Sequence, residues 1–385
     1  MRSRAKSNAG DDAGARELLA AARPILDASP GPALVEMIAE EARRAASLEE
    51  ATAAAEAAQS LAAQLGLPRP HRALVALGIA RLEAGDRRGE VDFSEAIDLA
   101  LAAGDTRAAL MALGNRASVR LELESADEAL HEYDLAIEFA GRYGLSDASI
   151  RGARLDALEL SGRWQEMLTE AAAIREVALE RGDAWTELMA RLQMGGVEVQ
   201  RGEVTLPVEN LVAEASSVGM QPGIGASVVA LSALLDGDHD RVRRVVAEAV
   251  AAVPPNGRIF GALDLVRAAL AIGDPALARA VLGKAVPEDG RNSRNALTRL
   301  ATALVLEAEG DMGGAGQRFA ETNDIFEKLG WPGTQVVALA GLGRTRLSLG
   351  DATAGLENLK AARLIAARLG MQPLLVELDT TIGPG

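Results

Sequence analysis

The sequence predicts an all-α protein, an α-α superhelix (solenoid) of about nine helical hairpins, and three observations carry that expectation. Glycines punctuate the chain at near-constant intervals, amphipathic runs of helical period fill the intervals, and only 3% of the 385 residues are aromatic. A large β-rich core would favour aromatic and β-branched side chains.

The glycines that close amphipathic runs are Gly66, Gly104, Gly144, Gly182, Gly219, Gly257, Gly290, Gly330 and Gly370, with a mean spacing of 38 residues. A second series lies between them: Gly85, Gly162, Gly202, Gly237, Gly273, Gly310 and Gly350, with Glu124 in the one gap. A helix that stops and reverses needs a left-handed residue just past its end, and glycine takes that conformation without a Cβ penalty of about 1–2 kcal/mol. Four of these glycines precede Asp238, Asp274, Asp311 and Asp351, whose carboxylates suit them to cap the next helix. Pro68, Pro222, Pro332 and Pro373, just after members of the first series, reinforce the breaks.

Element by element, residues 1–15 read as a flexible tail, 16–66 as an N-terminal hairpin, 67–373 as the repeat array and 374–385 as a C-terminal cap and tail. Within the array, small or apolar residues recur five, nine and twelve positions after the turn: Ala129, Tyr133, Ala136; Val242, Val246, Ala249; Ala278, Leu282, Ala285; Ala315, Phe319, Thr322; Gly355, Leu359, Ala362. Steps of four and three keep them on one helix face, and the small ones admit a partner helix closely.

A hairpin with a Gly-Asp turn and small, bulky and small residues at these offsets resembles the tetratricopeptide repeat. The first helix shows the small residue that this family places seven positions before the turn, at Gly78, Gly195, Ala230, Ala303 and Gly343. The resemblance covers about residues 67–373. The unit is longer than that family's, its first-helix Trp is mostly absent and its closing Pro is irregular. The texture of "LELSGRWQEMLTEAAAIREVALERGD" is also similar to the C-terminal helical arrays of actinobacterial adenylate cyclase-like ATPases and large ATP-dependent LuxR-type regulators, although their cyclase, P-loop and helix-turn-helix parts are lacking here.

The formal net charge of -15 repels phosphate backbones and anionic lipid, so nucleic acid and membrane are poor partners. No run of about 18 apolar residues suggests a membrane span, and the start "MRSRAKSNAGDDAGAR" lacks the apolar segment of a secretory signal. Without cysteine there are no disulfides or thiolate sites, and a cytoplasmic location is expected.

No catalytic signature emerges, and neither a cofactor nor a metal is expected. His71, His131 and His239 lie in different units without ligand spacing. The "DGDHD" cluster of Asp236, Asp238, His239 and Asp240 lacks the ligand series of a calcium loop and reads as a helix cap. "GMQPGIGAS" lacks the Lys-Ser/Thr of a phosphate loop and reads as an inter-unit loop. Trp164 and Trp331, each just after a turn glycine, read as gap fillers between hairpins in preference to exposed anchors.

In a stacked array the first helices line the concave wall. Carried over through the tetratricopeptide resemblance, the groove positions would hold Arg72 and Glu83; Asn115, Ser118 and Glu122; Asp156 and Glu159; Gln193 and Gln200; Asp264 and Arg267; Glu307; and Arg344. The early groove would be acidic, through Glu122, Asp156 and Glu159, and later units would present Arg267 and Arg344. At the Glu124 turn, the "LGN" of residues 113–115 sits about one helical turn early, so a longer helix with shifted register is the alternative there. The resulting expectation is a non-catalytic protein-interaction scaffold in bacterial regulation, receiving a basic or amphipathic peptide or helical segment. The alternative is a regulatory module that senses a small ligand in a closed, partly apolar pocket.

Overall fold

The computed structural model describes residues 12–45, 47–218, 220, 224–253, 258–288 and 292–383. Among these residues there are only helices and no strand. The chain divides into two compact units, residues 1–154 and 155–385.

Unit 1 contains α1 (Asp12–Asp27), α2 (Pro32–Arg43), α3 (Leu48–Gln64), α4 (His71–Glu83), α5 (Arg88–Ala102), α6 (Thr106–Leu123) and α7 (Ala126–Tyr143). The next helix, α8 (Ala148–Leu160), carries the boundary between units. Unit 2 continues with α9 (Trp164–Arg181), α10 (Ala184–Arg201), α11 (Leu211–Ser217), α12 (Ala226–Leu235), α13 (His239–Ala252), α14 (Ala262–Ala271) and α15 (Pro275–Leu282). It ends with α16 (Ser293–Ala308), α17 (Met312–Leu329), α18 (Pro332–Ser348), α19 (Ala352–Leu369) and α20 (Gln372–Ile382). Consecutive helices pair as hairpins, the most extensive being α18 with α19.

The punctuation works as the sequence predicts wherever it is described. Gly66, Gly104, Gly144, Gly182, Gly330 and Gly370, and all seven glycines of the second series, have positive φ. Gly219, Gly257, Gly290 and Pro222 lie outside the described residues. Asp238, Asp274, Asp311 and Asp351 each accept a hydrogen bond from the backbone N–H three residues on. At the gap in the series, Ser125 takes over the cap of α7 by accepting from Glu128 N. Pro332 and Pro373 open the helices that follow, where a missing N–H costs nothing.

Packing within hairpins explains the small residues. A Cβ on Gly343 would stand 3.0 Å from the carbonyl oxygen of Gly355, and a Cβ on Gly355 3.0 Å from that of Gly343. Gly78 and Gly89 repeat the arrangement in α4 and α5. The bulky residues between them, Tyr133, Phe319 and Leu359, are fully buried. One hairpin departs from the pattern. After Gly202 the chain runs through Pro207 without helix until the two-turn α11, and Glu198, buried at the end of α10, accepts from the backbone N–H groups of Thr205 and Leu206 to hold that segment.

Unit 2 turns back on itself. Helix α20 packs against α10, and a Cβ on Gly202 would meet Pro373 Cδ at 3.2 Å. A Cβ on Gly162 would stand 2.7 Å from Leu369 and 2.9 Å from Pro332. Trp164 and Trp331 are both buried, as gap fillers should be. Trp331 stacks on Phe326, and the Trp164 indole N–H donates to the Glu159 carbonyl oxygen at 2.8 Å, tying the start of α9 to the end of α8. The Arg201 guanidinium lies over the Trp164 ring at 5.7 Å.

Candidate functional site

The expected groove residues separate into two sets. In unit 1, Arg72 is exposed and paired with Glu36 at 3.2 Å, while Asn115 and Glu122 are half-buried and Glu83 exposed. Ser118 bonds inside its own hairpin: its hydroxyl donates to Gly114 O and lies 2.9 Å from the Tyr133 hydroxyl. Helix α6 is a full 18 residues, and Gly114 within it faces Ile150, whose Cδ1 would stand 2.5 Å from an added Cβ. That contact accounts for the early "LGN".

In unit 2 the expected residues do converge. Gln193 on α10 donates to Asp156 on α8 at 2.6 Å. Arg267 on α14 binds Asp264 one turn before it at 3.0 Å and reaches Gln200 at 3.4 Å. Arg344 on α18 forks onto Glu307 on α16 at 2.7 and 2.8 Å and onto Glu377 on α20 at 2.7 Å. The positive end expected of the groove is therefore already neutralised by internal carboxylates.

Two adjoining cavities open on this interior and share Val199, Gln200 and Leu231. The larger, about 580 Å³, is bounded by α10, α12, α14, α16, α18 and α20 and contains the paired Arg267, Glu307, Arg344 and Glu377. The smaller, about 250 Å³, has walls of Met189, Leu192, Val199, Ile224, Val228, Leu231 and Phe260, with Glu159, Gln193, Gln200, Ser227 and Asp264 supplying polar groups.

Two carboxyls of α8, Asp156 and the cavity-lining Glu159, are displaced toward neutrality. Asp156, one turn before Glu159 on α8, has an exposed side chain, yet desolvation by the protein mass around it pushes its pKa up to about 6, against the Gln193 hydrogen bond and the charge of Arg294. Desolvation raises Glu159 further, to about 8, with the charges of Asp156 and Asp264 adding to it. Among the described residues, no group of acidic or histidine side chains is arranged to hold a metal ion. Nor is any described helix long and apolar enough to cross a membrane.

Several residues of this site have no signal in a turn-counting argument. Gly225 and Gly261, with φ of 86° and 64°, start the inner helices α12 and α14 and line the smaller cavity. Gly225 belongs to "GMQPGIGAS", part of which, residues 219 and 221–223, lies outside the described residues. Gly196 and the exposed Phe260 also line that cavity. The third tryptophan, Trp185, is half exposed near the start of α10.

No protein-family model matches the chain, and no curated protein matches it. Among solved structures it is similar to a chain of the APC/C hetero-tetramer Cut9-Hcn1, at 16% identity over 99% of this chain and 69% of that one, with a TM-score of 0.55. A STAND ATPase with a tetratricopeptide repeat sensor from Pyrococcus horikoshii aligns at 14% identity over 96% of this chain and 55% of that one (TM-score 0.40). Yeast Tom70 aligns at 12% identity over 94% and 92% (TM-score 0.35). The first of these similarities, with the helical hairpins and their glycine turns, shows a tetratricopeptide-like all-α solenoid fold.

Proposed function

We propose that the chain is a non-catalytic binding module whose unit 2 interior receives a basic, amphipathic segment of a protein partner, in a regulatory setting. One observation carries this reading: inner helices α8, α10, α14, α16 and α18 turn their polar residues onto a common space floored by apolar side chains. Around the two cavities, the carboxylates of Asp264, Glu307 and Glu377 outnumber the guanidiniums of Arg267 and Arg344 even with Glu159 protonated. Such an excess favours a positively charged partner and sets its on-rate and selectivity more than its total affinity.

The test is a photo-crosslinker placed either at Leu231 inside the cavities or at the exposed Leu364 on α19. A partner segment that crosslinks from Leu231 and loses affinity with added salt supports the reading. A partner that crosslinks only from Leu364 overturns it.

A second reading is favoured by the return of α20 to α10, which bounds the interior with both ends of unit 2. An interior bounded in this way suits a small-ligand sensor, in keeping with the resemblance to regulator arrays. A saturable thermal shift with a metabolite, and none with peptides, selects it.

A further inference from the structure

We propose that the smaller cavity of unit 2 is a site for an alkylammonium group, an amine on a short apolar chain, with the Glu159 carboxylate as its counter-ion. This deepens the reading of the unit 2 interior as a binding surface and rests on it.

Four observations select this chemistry. The walls are predominantly aliphatic, with Phe260 at the mouth. At about 250 Å³ the cavity falls below the roughly 300–1,000 Å³ that holds a drug-sized molecule, so one side chain or short amine is the better match. Among the described residues no lysine or arginine lines it, which disfavours anions. Finally, the Glu159 carboxylate has no hydrogen-bond or ion-pair partner among the described residues, whereas Asp156 and Asp264 have theirs. Glu159 is half-buried, and a carboxylate whose hydration is cut back without a partner is left under-satisfied, so a ligand that pairs with it recovers part of that cost.

Gly196 keeps the approach open. A Cβ there would lie 3.7 Å from Glu159 Oε1, so any longer side chain would occupy the space beside the carboxylate. The charged groups that act on Glu159 are Asp156 on its own helix and Asp264 on α14; Arg267 pairs with Asp264 and Arg294, at the start of α16, acts on Asp156, while α10 and α12 present Gln193, Gln200 and Ser227. With Glu159 held mostly protonated at pH 7, an incoming ammonium ion displaces its proton to solvent. Ammonium and carboxylate are then paired, and one proton appears in the buffer.

The test is calorimetric titration of the full chain with hexylammonium chloride and with hexanol, its neutral counterpart. Hexylammonium is expected to bind saturably and at least tenfold more tightly than hexanol. Its affinity should rise roughly fivefold or more from pH 6.5 to 8.5 as Glu159 ionises, and the heat should vary with the buffer's ionisation enthalpy because a proton is released. Glu159→Gln should lose tenfold or more for hexylammonium while leaving hexanol unchanged. Gly196→Leu, a change that favours helix, should abolish both.

A lysine-containing peptide and its Nε-acetylated form distinguish a partner's side chain from a free amine as the natural source. Discrimination between the two peptides assigns the site to the side chain, and binding of hexylammonium alone assigns it to a free amine. Equal affinity for hexylammonium and hexanol, no saturation by hexylammonium, or an unaltered Glu159→Gln variant overturns the proposal. Any of these three outcomes together with a partner that still crosslinks from Leu231 overturns it while leaving the interior-binding reading intact.

Discussion

Arg344 and Glu307 are joined across two inner helices of unit 2 by a two-pronged ion pair of 2.7 and 2.8 Å, and a third bond from Arg344 reaches Glu377 on α20. The guanidinium thus links α16, α18 and the last helix, and its charge serves the fold.

Replacing Arg344 by Met leaves two carboxylates facing each other without a cation. The expected loss is about 2 kcal/mol, below the 3–5 kcal/mol of a fully buried pair because these side chains keep some solvent. The double variant Arg344→Met/Glu307→Met should be less destabilised than Arg344→Met alone, since no lone partner remains at Glu307. Urea unfolding midpoints at pH 7 check both.

Glu159 makes stability depend on pH in a definite direction. Its folded pKa of about 8 lies above its ordinary 4.5, so the folded state holds the proton more tightly and stability declines as pH rises through that interval. Glu159→Gln removes this contribution. Its Tm should match the wild type near pH 4.5 and exceed it by several degrees at pH 8.5, a comparison that differential scanning calorimetry makes directly.

Gly350 and Gly343 are required for different reasons, and alanine substitution separates them. Gly350 has φ of 89° with nothing near its missing Cβ, so Gly350→Ala should cost about 1–2 kcal/mol through backbone strain. Gly343 is helical, and a Cβ would lie 2.6 Å from Leu359 Cγ and 3.0 Å from the Gly355 carbonyl oxygen. Gly343→Ala should cost roughly 1–3 kcal/mol through overpacking. A companion Leu359→Ala should couple to Gly343→Ala and leave Gly350→Ala additive, as thermal unfolding of the single and double variants would show.

Closure of unit 2 depends on α20. Leu378 is fully buried, and Leu378→Ala should cost about 2–4 kcal/mol. Because α20 packs against α10, amide hydrogen exchange should accelerate in both helices. Acceleration confined to α20 would contradict the linkage.

The hairpins were legible because their causes are local. A glycine past a helix end, an Asp behind it and small residues one helix turn apart act within a few residues of one another, as at Gly237, Asp238 and Val242. The irregular α11 was less legible, since Pro207 stops the helix while its replacement, the Glu198 carboxylate binding Thr205 and Leu206, is a contact across several residues. Ser118 shows the limit of position counting. The tetratricopeptide offsets would place it on the inner wall, yet its hydroxyl is engaged by Gly114 and Tyr133 of its own hairpin.

The sequence by itself determined the all-α class, the turns, the helix caps and the residues that pack each hairpin, because backbone conformation and side-chain periodicity act at short range. Only the tertiary structure decided that Arg344 is neutralised from neighbouring helices, that α20 returns to α10, and that Glu159 is left without a partner among the described residues beside an apolar cavity. Those outcomes depend on the small rotation from one hairpin to the next, which accumulates over more than two hundred residues and brings together charges that no local spacing encodes.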